Sequence, residues 1–207
     1  MLILKKSIIS RTGSTFLLFT SLLRGQYHYT GDFEVLTETQ TINNSNGHTL
    51  EYSLFTGMGS TNNVFIILAH GFSRSKDTMS ELAHHYATWG LNVITMNLLY
   101  SSITQNDPFQ DSQDLHLLSQ NVCGGNPIIY MGYSAGGMRS IVAAHDDSNA
   151  VAFLGLDLVD TQSDSLNDEF IALFFGSNIS IPVWGLLGES NTCNANGNGL
   201  NVYLDTE

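Results

Sequence analysis

Three things are scarce in this chain, and each scarcity closes off a class of function. Positive charge is the first: Lys and Arg total 7 against 19 Asp and Glu, for a formal net charge of −12. So acidic a surface repels phosphate backbones and anionic headgroups, which sets aside nucleic-acid binding and electrostatic docking to membranes. Cysteine is the second. Cys123 and Cys193 are the only two, too few for a disulfide framework and without metal-ligand spacing. One bridge between them and two unpaired thiols are both open. Long apolar runs are the third: no stretch approaches the roughly 20 apolar residues that span a bilayer, so no integral membrane segment is expected. Internal repeats and low-complexity blocks are lacking as well.

What is present reads as one folded domain. At 207 residues, 43% hydrophobic and 13% charged, the chain is long and apolar enough to bury a continuous core. Residues 1–30 read as a leader or irregular extension and 31–207 as the domain. Within the extension, Lys5, Lys6 and Arg11 precede an apolar patch, Phe16 to Leu23, which loosely imitates a signal peptide. The patch is short, contains Thr20 and Ser21, and runs into Arg24 without a small-x-small cleavage site. Export and retention are both compatible with it.

From Asp32 onward strand-like and helix-like segments alternate. Phe33 to Thr41 and Thr49 to Phe55 flank the turn-rich Asn43-Asn44-Ser45-Asn46-Gly47 and read as an antiparallel hairpin. Val64 to Ala69 is a short apolar run, as for a strand buried on both faces. Lys76 to Trp89 has helical spacing and closes at Gly90. Strands follow at Leu91–Met96, Pro127–Met131, Val151–Leu156 and Ile181–Leu187, with helices at Asp111–Val122, Gly136–His145 and Asn167–Phe175. That alternation predicts an α/β class: a mostly parallel sheet with helices on both faces and an antiparallel hairpin at one edge.

The chemistry-bearing motif is Gly132-Tyr133-Ser134-Ala135-Gly136. A Gly-x-Ser-x-Gly arises by chance in Gly-rich loops; here it directly follows a strand and directly precedes a helix. That context marks a nucleophile raised above a sheet edge, with the helix N-terminus aimed at the site of a developing oxyanion. His70-Gly71-Phe72 ends the strand Val64–Ala69, and the loop there supplies the second oxyanion amide in this architecture. The expected donors are the N–H groups of Phe72 and Ala135, with His70 shaping the loop. Gly155-Leu156-Asp157-Leu158-Val159-Asp160 closes the next strand; Asp157 is the first candidate to orient a histidine and Asp160 the second. A loop aspartate capping the next turn is the plainer alternative for Asp157.

Together, His70-Gly71-Phe72-Ser73-Arg74-Ser75-Lys76-Asp77-Thr78-Met79, Gly-Tyr-Ser-Ala-Gly-Gly, Gly-Leu-Asp-Leu-Val-Asp and Cys193-Asn194-Ala195-Asn196-Gly197-Asn198-Gly199 resemble the chlorophyllase-like α/β-hydrolases. Their bacterial relatives look like the cutinase and polyester-hydrolase group. The resemblance covers roughly residues 49 to 200. It implies the α/β-hydrolase fold, a Ser-Asp-His triad acting on carboxylic esters, and no cofactor or metal. It favours Asp157 as the acid, because at the alternative position after the following strand Glu189 is offered while Asn191 stands where an aspartate is expected. It also implies that Cys193 pairs with a cysteine beyond residue 207, which suits an exported enzyme.

One expected part is missing: no histidine follows Asp157, although the chain order of such enzymes is nucleophile, acid, histidine. The resemblance places that histidine, a last strand and a helix beyond residue 207, so the chain reads as truncated. His145 cannot stand in, since a rise of about 1.5 Å per residue carries it more than ~10 Å from the Ser134 hydroxyl. His84, His85, His116, His28 and His48 fall on peripheral elements. The expectation is an ester hydrolase whose chain, as it stands, is severely impaired, with residual catalysis of roughly 10³-fold from the oxyanion hole. A non-catalytic binding protein on the same scaffold is the alternative, and acyltransferase or thioesterase chemistry fits the same residues. Tyr133, Tyr100, Phe109 and Trp184 are aromatic candidates for contacting a small-molecule or polymeric ester. Core packing accounts equally well for Trp184 and Phe109.

Overall fold

The computed structural model describes residues 2–6 and 29–204, the first segment by its backbone alone. Within them run strands β1 (Leu2–Lys6), β2 (Val35–Asn43), β3 (Thr49–Gly57), β4 (Phe65–Ala69), β5 (Asn92–Met96), β6 (Ile128–Tyr133), β7 (Ala150–Leu156), β8 (Gln162–Ser163), β9 (Glu169–Phe170) and β10 (Val183–Leu187). The helices are α1 (Ser80–Thr88), α2 (Pro108–Val122), α3 (Ala135–Asp146) and α4 (Ile171–Asn178). Eight strands form one sheet in the order β1-β10-β7-β6-β4-β5-β3-β2. From β10 across to β5 neighbouring strands are parallel, and β3, β2 and β1 are antiparallel to their neighbours.

Alternation along the parallel strands explains why both faces are covered. Ile67 and Ala69 of β4, Ile94 and Met96 of β5, Ile128 and Tyr130 of β6 and Phe153 of β7 point to one face, into the core shared with α2, α3 and α4. Ile66 and Leu68, Val93 and Met131 point to the other, against Met79 and the α1 residues Ala83 and Ala87. With residues alternating across a sheet and both sides apolar, the strands stay continuous hydrophobic runs, and only a doubly covered sheet satisfies them.

Two boundaries differ from the sequence expectation. α2 begins at Pro108, three residues early, because the Asp107 carboxylate accepts the N–H groups of Phe109 and Gln110 and caps a helix that opens on proline. Residues 162–170, partly assigned to a helix, instead form the small β8–β9 hairpin around a short 3-10 turn, and α4 starts only at Ile171. In the segment read as a leader or extension, Leu2–Lys6 is a strand along β10; the Phe16–Leu23 patch lies outside the described residues. Among the described residues no helix is long and apolar enough to cross a membrane.

Candidate active site

Ser134 occupies the single residue between β6 and α3, at φ 53° and ψ −126°. A residue with a Cβ takes such a conformation at a cost of about 1–3 kcal/mol, so the surroundings must hold it there. They do so through the backbone: its N–H donates to Leu156 O (2.9 Å), and its carbonyl accepts from Gly137 N (2.9 Å) and Val159 N (3.2 Å). Glycine makes the turn possible. A Cβ on Gly136 would lie 2.2 Å from His70 O and 2.8 Å from Ala69 O, so α3 starts directly on the end of β4. The Ser134 side chain is half-buried.

The loop after β4 lies beside it. A Cβ on Gly71 would sit 3.1 Å from the Tyr133 ring and 3.4 Å from Ser134 Cβ. The amides of Phe72 and Ala135 donate to no described residue. Phe72 and Tyr133 are both exposed. His70 is buried, with Nδ1 donating to Gly71 O (2.8 Å) and Nε2 accepting from Leu98 N (3.0 Å). Burial pushes its pKa down, against the pull of the Gly71 bond. Both ring nitrogens are thus committed to the loop, and the ring is neutral.

Asp157 follows β7, itself at a positive φ of 48°. Its Oδ1 accepts from Gly188 N (3.0 Å) and Asn194 Nδ2 (3.2 Å), so the carboxylate is anchored on the loop after β10. Asn194, almost fully buried, is a hub: its amide also donates to Glu189 O, and its oxygen accepts from Asn191 N and Gly197 N. The residues singled out at Asn194 and Asn198 therefore staple segment 192–202 to the end of β7, because Asn198 brackets the backbone N–H and C=O of Asp160.

Several candidates are placed elsewhere. Asp160 spends its carboxylate on the N–H groups of Thr161, Ala172 and Leu173, so it caps α4 from a distance. Glu189 is exposed and contributes its carbonyl. Tyr100 is buried with its ring edge-on to His48, and Phe109 packs against Phe175. Trp184 lies three residues before the end of β10; at about 3.3 Å per residue it stands roughly 10 Å below the carboxyl edge of the sheet. Other described histidines lie on other elements: His145 meets Asp146 and Phe175, His116 faces Asp147, and His84 and His85 ride on α1. Both cysteines are unpaired, and burial followed by the Asp147 charge pushes the Cys123 thiol up to about 12. Among the described residues no His, Cys, Asp and Glu side chains gather as a metal site.

One feature escaped the sequence reading. Arg139 and Asp111 form a fully buried ion pair (2.7 Å) behind the first turn of α3. Its signal was present: Arg139 is the only charge in the small and apolar run 135–144. A helix apolar all round is buried, and a charge inside it needs a partner. Beside this pair, a cleft of about 380 Å³ opens between Asn106, Asp107 and Phe109 on one side and Thr161, Gln162 and Asp164 on the other.

No protein-family model matches the sequence, and no curated protein matches it. Solved structures do. A putative dienelactone hydrolase from Klebsiella pneumoniae subsp. pneumoniae MGH 78578 aligns over 82% of this chain and 80% of its own, at TM-score 0.65 and 14% identity. The fold is that of the α/β-hydrolases. DcsB, solved with a substrate analogue, aligns at TM-score 0.51 and 19% identity over 65% of this chain. The α/β-hydrolase GrgF from Penicillium sp. sh18 aligns at TM-score 0.50 and 18% identity over 61%. The aligned part spans about half of those two proteins, 48% and 47%. In this α/β-hydrolase sheet the 70–74 loop, Ser134 and Asp157 stand at the carboxyl ends of the adjacent strands β4, β6 and β7.

Proposed function

We propose that this chain is a serine hydrolase that cleaves carboxylic esters through an acyl-enzyme on Ser134. The observation that carries the reading is the strained, half-buried Ser134 beside the Phe72 and Ala135 amides, which have no partner among the described residues. A base takes the hydroxyl proton as Oγ bonds to the acyl carbon, and the carbonyl electron pair moves onto oxygen between the two amides. Collapse expels the alcohol, which leaves with that proton, and water repeats the sequence on the acyl-enzyme. Asp157 orients the base, and the base is a histidine outside the described residues. No metal or cofactor takes part in this scheme. The motifs around His70, Ser134, Asp157 and Asn194 support placing the enzyme with the chlorophyllase-like and cutinase-like esterases. The dienelactone hydrolase neighbour supports ester or lactone cleavage generally.

A binding protein on the same scaffold is the second reading. It is favoured by the Asp157 carboxylate already accepting from Asn194 and Gly188. Added imidazole separates the two. As an external base it should raise hydrolysis of a short nitrophenyl ester above the imidazole-only rate, and Ser134→Ala should remove that excess. If the parent and Ser134→Ala give equal rates at every imidazole concentration, the binding-protein reading replaces the hydrolase.

A further inference from the structure

The two amides beside Ser134 come from separate pieces of chain, so something must set their spacing. Ala135 belongs to the first turn of α3, whereas Phe72 belongs to the loop after β4. Arg139 reaches both sides from inside the protein. Its Nη1 donates to Ala135 O (3.1 Å), and its Nη2 donates to Tyr100 O (3.2 Å) and Asn106 Oδ1 (2.7 Å). Asp111 takes the guanidinium Nε on one oxygen (2.7 Å) and the Tyr100 N–H on the other (3.0 Å), so Tyr100 is held by both its carbonyl and its amide. The segment gripped in this way grips the other amide's loop: Ser101 O accepts from Ser73 N (2.7 Å), Leu98 N donates to His70 Nε2, and Asn97 Oδ1 accepts from Lys76 N (2.9 Å).

We infer that the buried Arg139–Asp111 pair is a positioning unit that fixes the Phe72 amide relative to the Ala135 amide, an inference that rests on the serine-hydrolase reading of Ser134. A fully buried ion pair gives little net stability over an apolar pair of the same size, so its use lies in the geometry it imposes. Only a planar fork can serve four acceptors in fixed directions; an ammonium at the end of a flexible stem cannot.

The test is titration of the full chain with phenylboronic acid. Ser134 Oγ bonds to boron, the hydroxyl proton passes to solvent, and the boron becomes a tetrahedral anion with an oxygen at the two amides. Boron NMR reads the tetrahedral species, and amide NMR reads Phe72 and Ala135. The parent should bind with shifts at both amides, and Ser134→Ala should not bind. Arg139→Lys, checked for folding by its amide dispersion, should bind about tenfold more weakly, short of the roughly 10²–10³ that losing a whole donor costs. In its spectrum the Phe72 and Ala135 amide shifts on binding should be smaller. Binding within about twofold of the parent, with unchanged amide shifts, overturns the inference and leaves the hydrolase reading intact. Should Arg139→Lys fail to fold, the exposed Asn106→Ala decides, with about a threefold loss expected and no loss overturning the inference. A parent that binds no boronate, or a Ser134→Ala that binds equally, removes the hydrolase reading and this inference with it.

Discussion

At Ser134 the backbone conformation and the packing around it depend on each other. The positive φ is tolerable because Leu156, Gly137 and Val159 hold the residue's own backbone groups, and because Gly136 lets helix α3 meet β4 with nothing between them. Gly136→Ala forces a methyl onto two carbonyl oxygens, neither of them on a flexible side chain. We expect it to destabilise the fold by about 3 kcal/mol or more, read by urea unfolding, at the upper end of overpacking costs. The same logic operates one layer away. Gly155 and Gly185 pair in register on β7 and β10, and the Tyr203 ring lies across both of them, so either glycine given a Cβ collides with the phenol. His70 shows how far a residue type can mislead. A histidine near the serine of a Gly-x-Ser-x-Gly turn suggests a base, yet both its nitrogens are used to shape the loop.

Among the elements, α4 illustrates a helix held from outside its own sequence. Nothing at its start caps it, and Asp160, eleven residues before Ile171, supplies the acceptors for Ala172 and Leu173. Asp160→Ala should cost about 2 kcal/mol, because it strips two N-terminal amides of their partner. Hydrogen exchange should speed up in α4 before α3. Equal protection in both helices contradicts this assignment. The parallel strands were legible in the sequence because burial on both faces demands unbroken apolar runs, and the turn after β6 was legible because glycines flank the serine. α2 was misplaced at its start although Asp107-Pro108 is a helix-opening signal, since the amphipathic pattern takes hold only later. Asp160 capping α4 and Arg139 pairing Asp111 could not be read from spacing, because their partners come from distant sequence. The aromatic candidates show the same limit: the sequence puts Tyr100 and Trp184 near strand ends, but not that Tyr100 is buried or that Trp184 lies three residues short of the end of β10.

For the whole molecule, acidity and burial act in the same direction. Burial raises the pKa of Asp111 to about 6, against the opposing pull of Arg139 and the Tyr100 amide, and burial also raises Asp114 and Asp160. The folded chain therefore holds protons that the unfolded chain has released, in a window from the ordinary carboxylate value up to about 6 for Asp111. Stability contributed by these groups is complete below that window and is lost as pH rises through it. A net charge of −12 adds self-repulsion that also eases on acidification. Thermal unfolding should thus give a midpoint a few degrees higher near pH 5 than near pH 7.5, and Asp111→Asn should shrink the difference. A midpoint that falls on going from pH 7.5 to 5 contradicts this reading.

Whether Ser134 is a reactive nucleophile is read by labelling the folded chain with a fluorophosphonate in the presence of imidazole and locating the modified peptide by mass spectrometry. One phosphonyl group is expected on Ser134, absent from Ser134→Ala and from the heat-unfolded chain. A folded chain that takes up no label, or takes it up at a residue indifferent to Ser134→Ala, contradicts the serine-hydrolase reading.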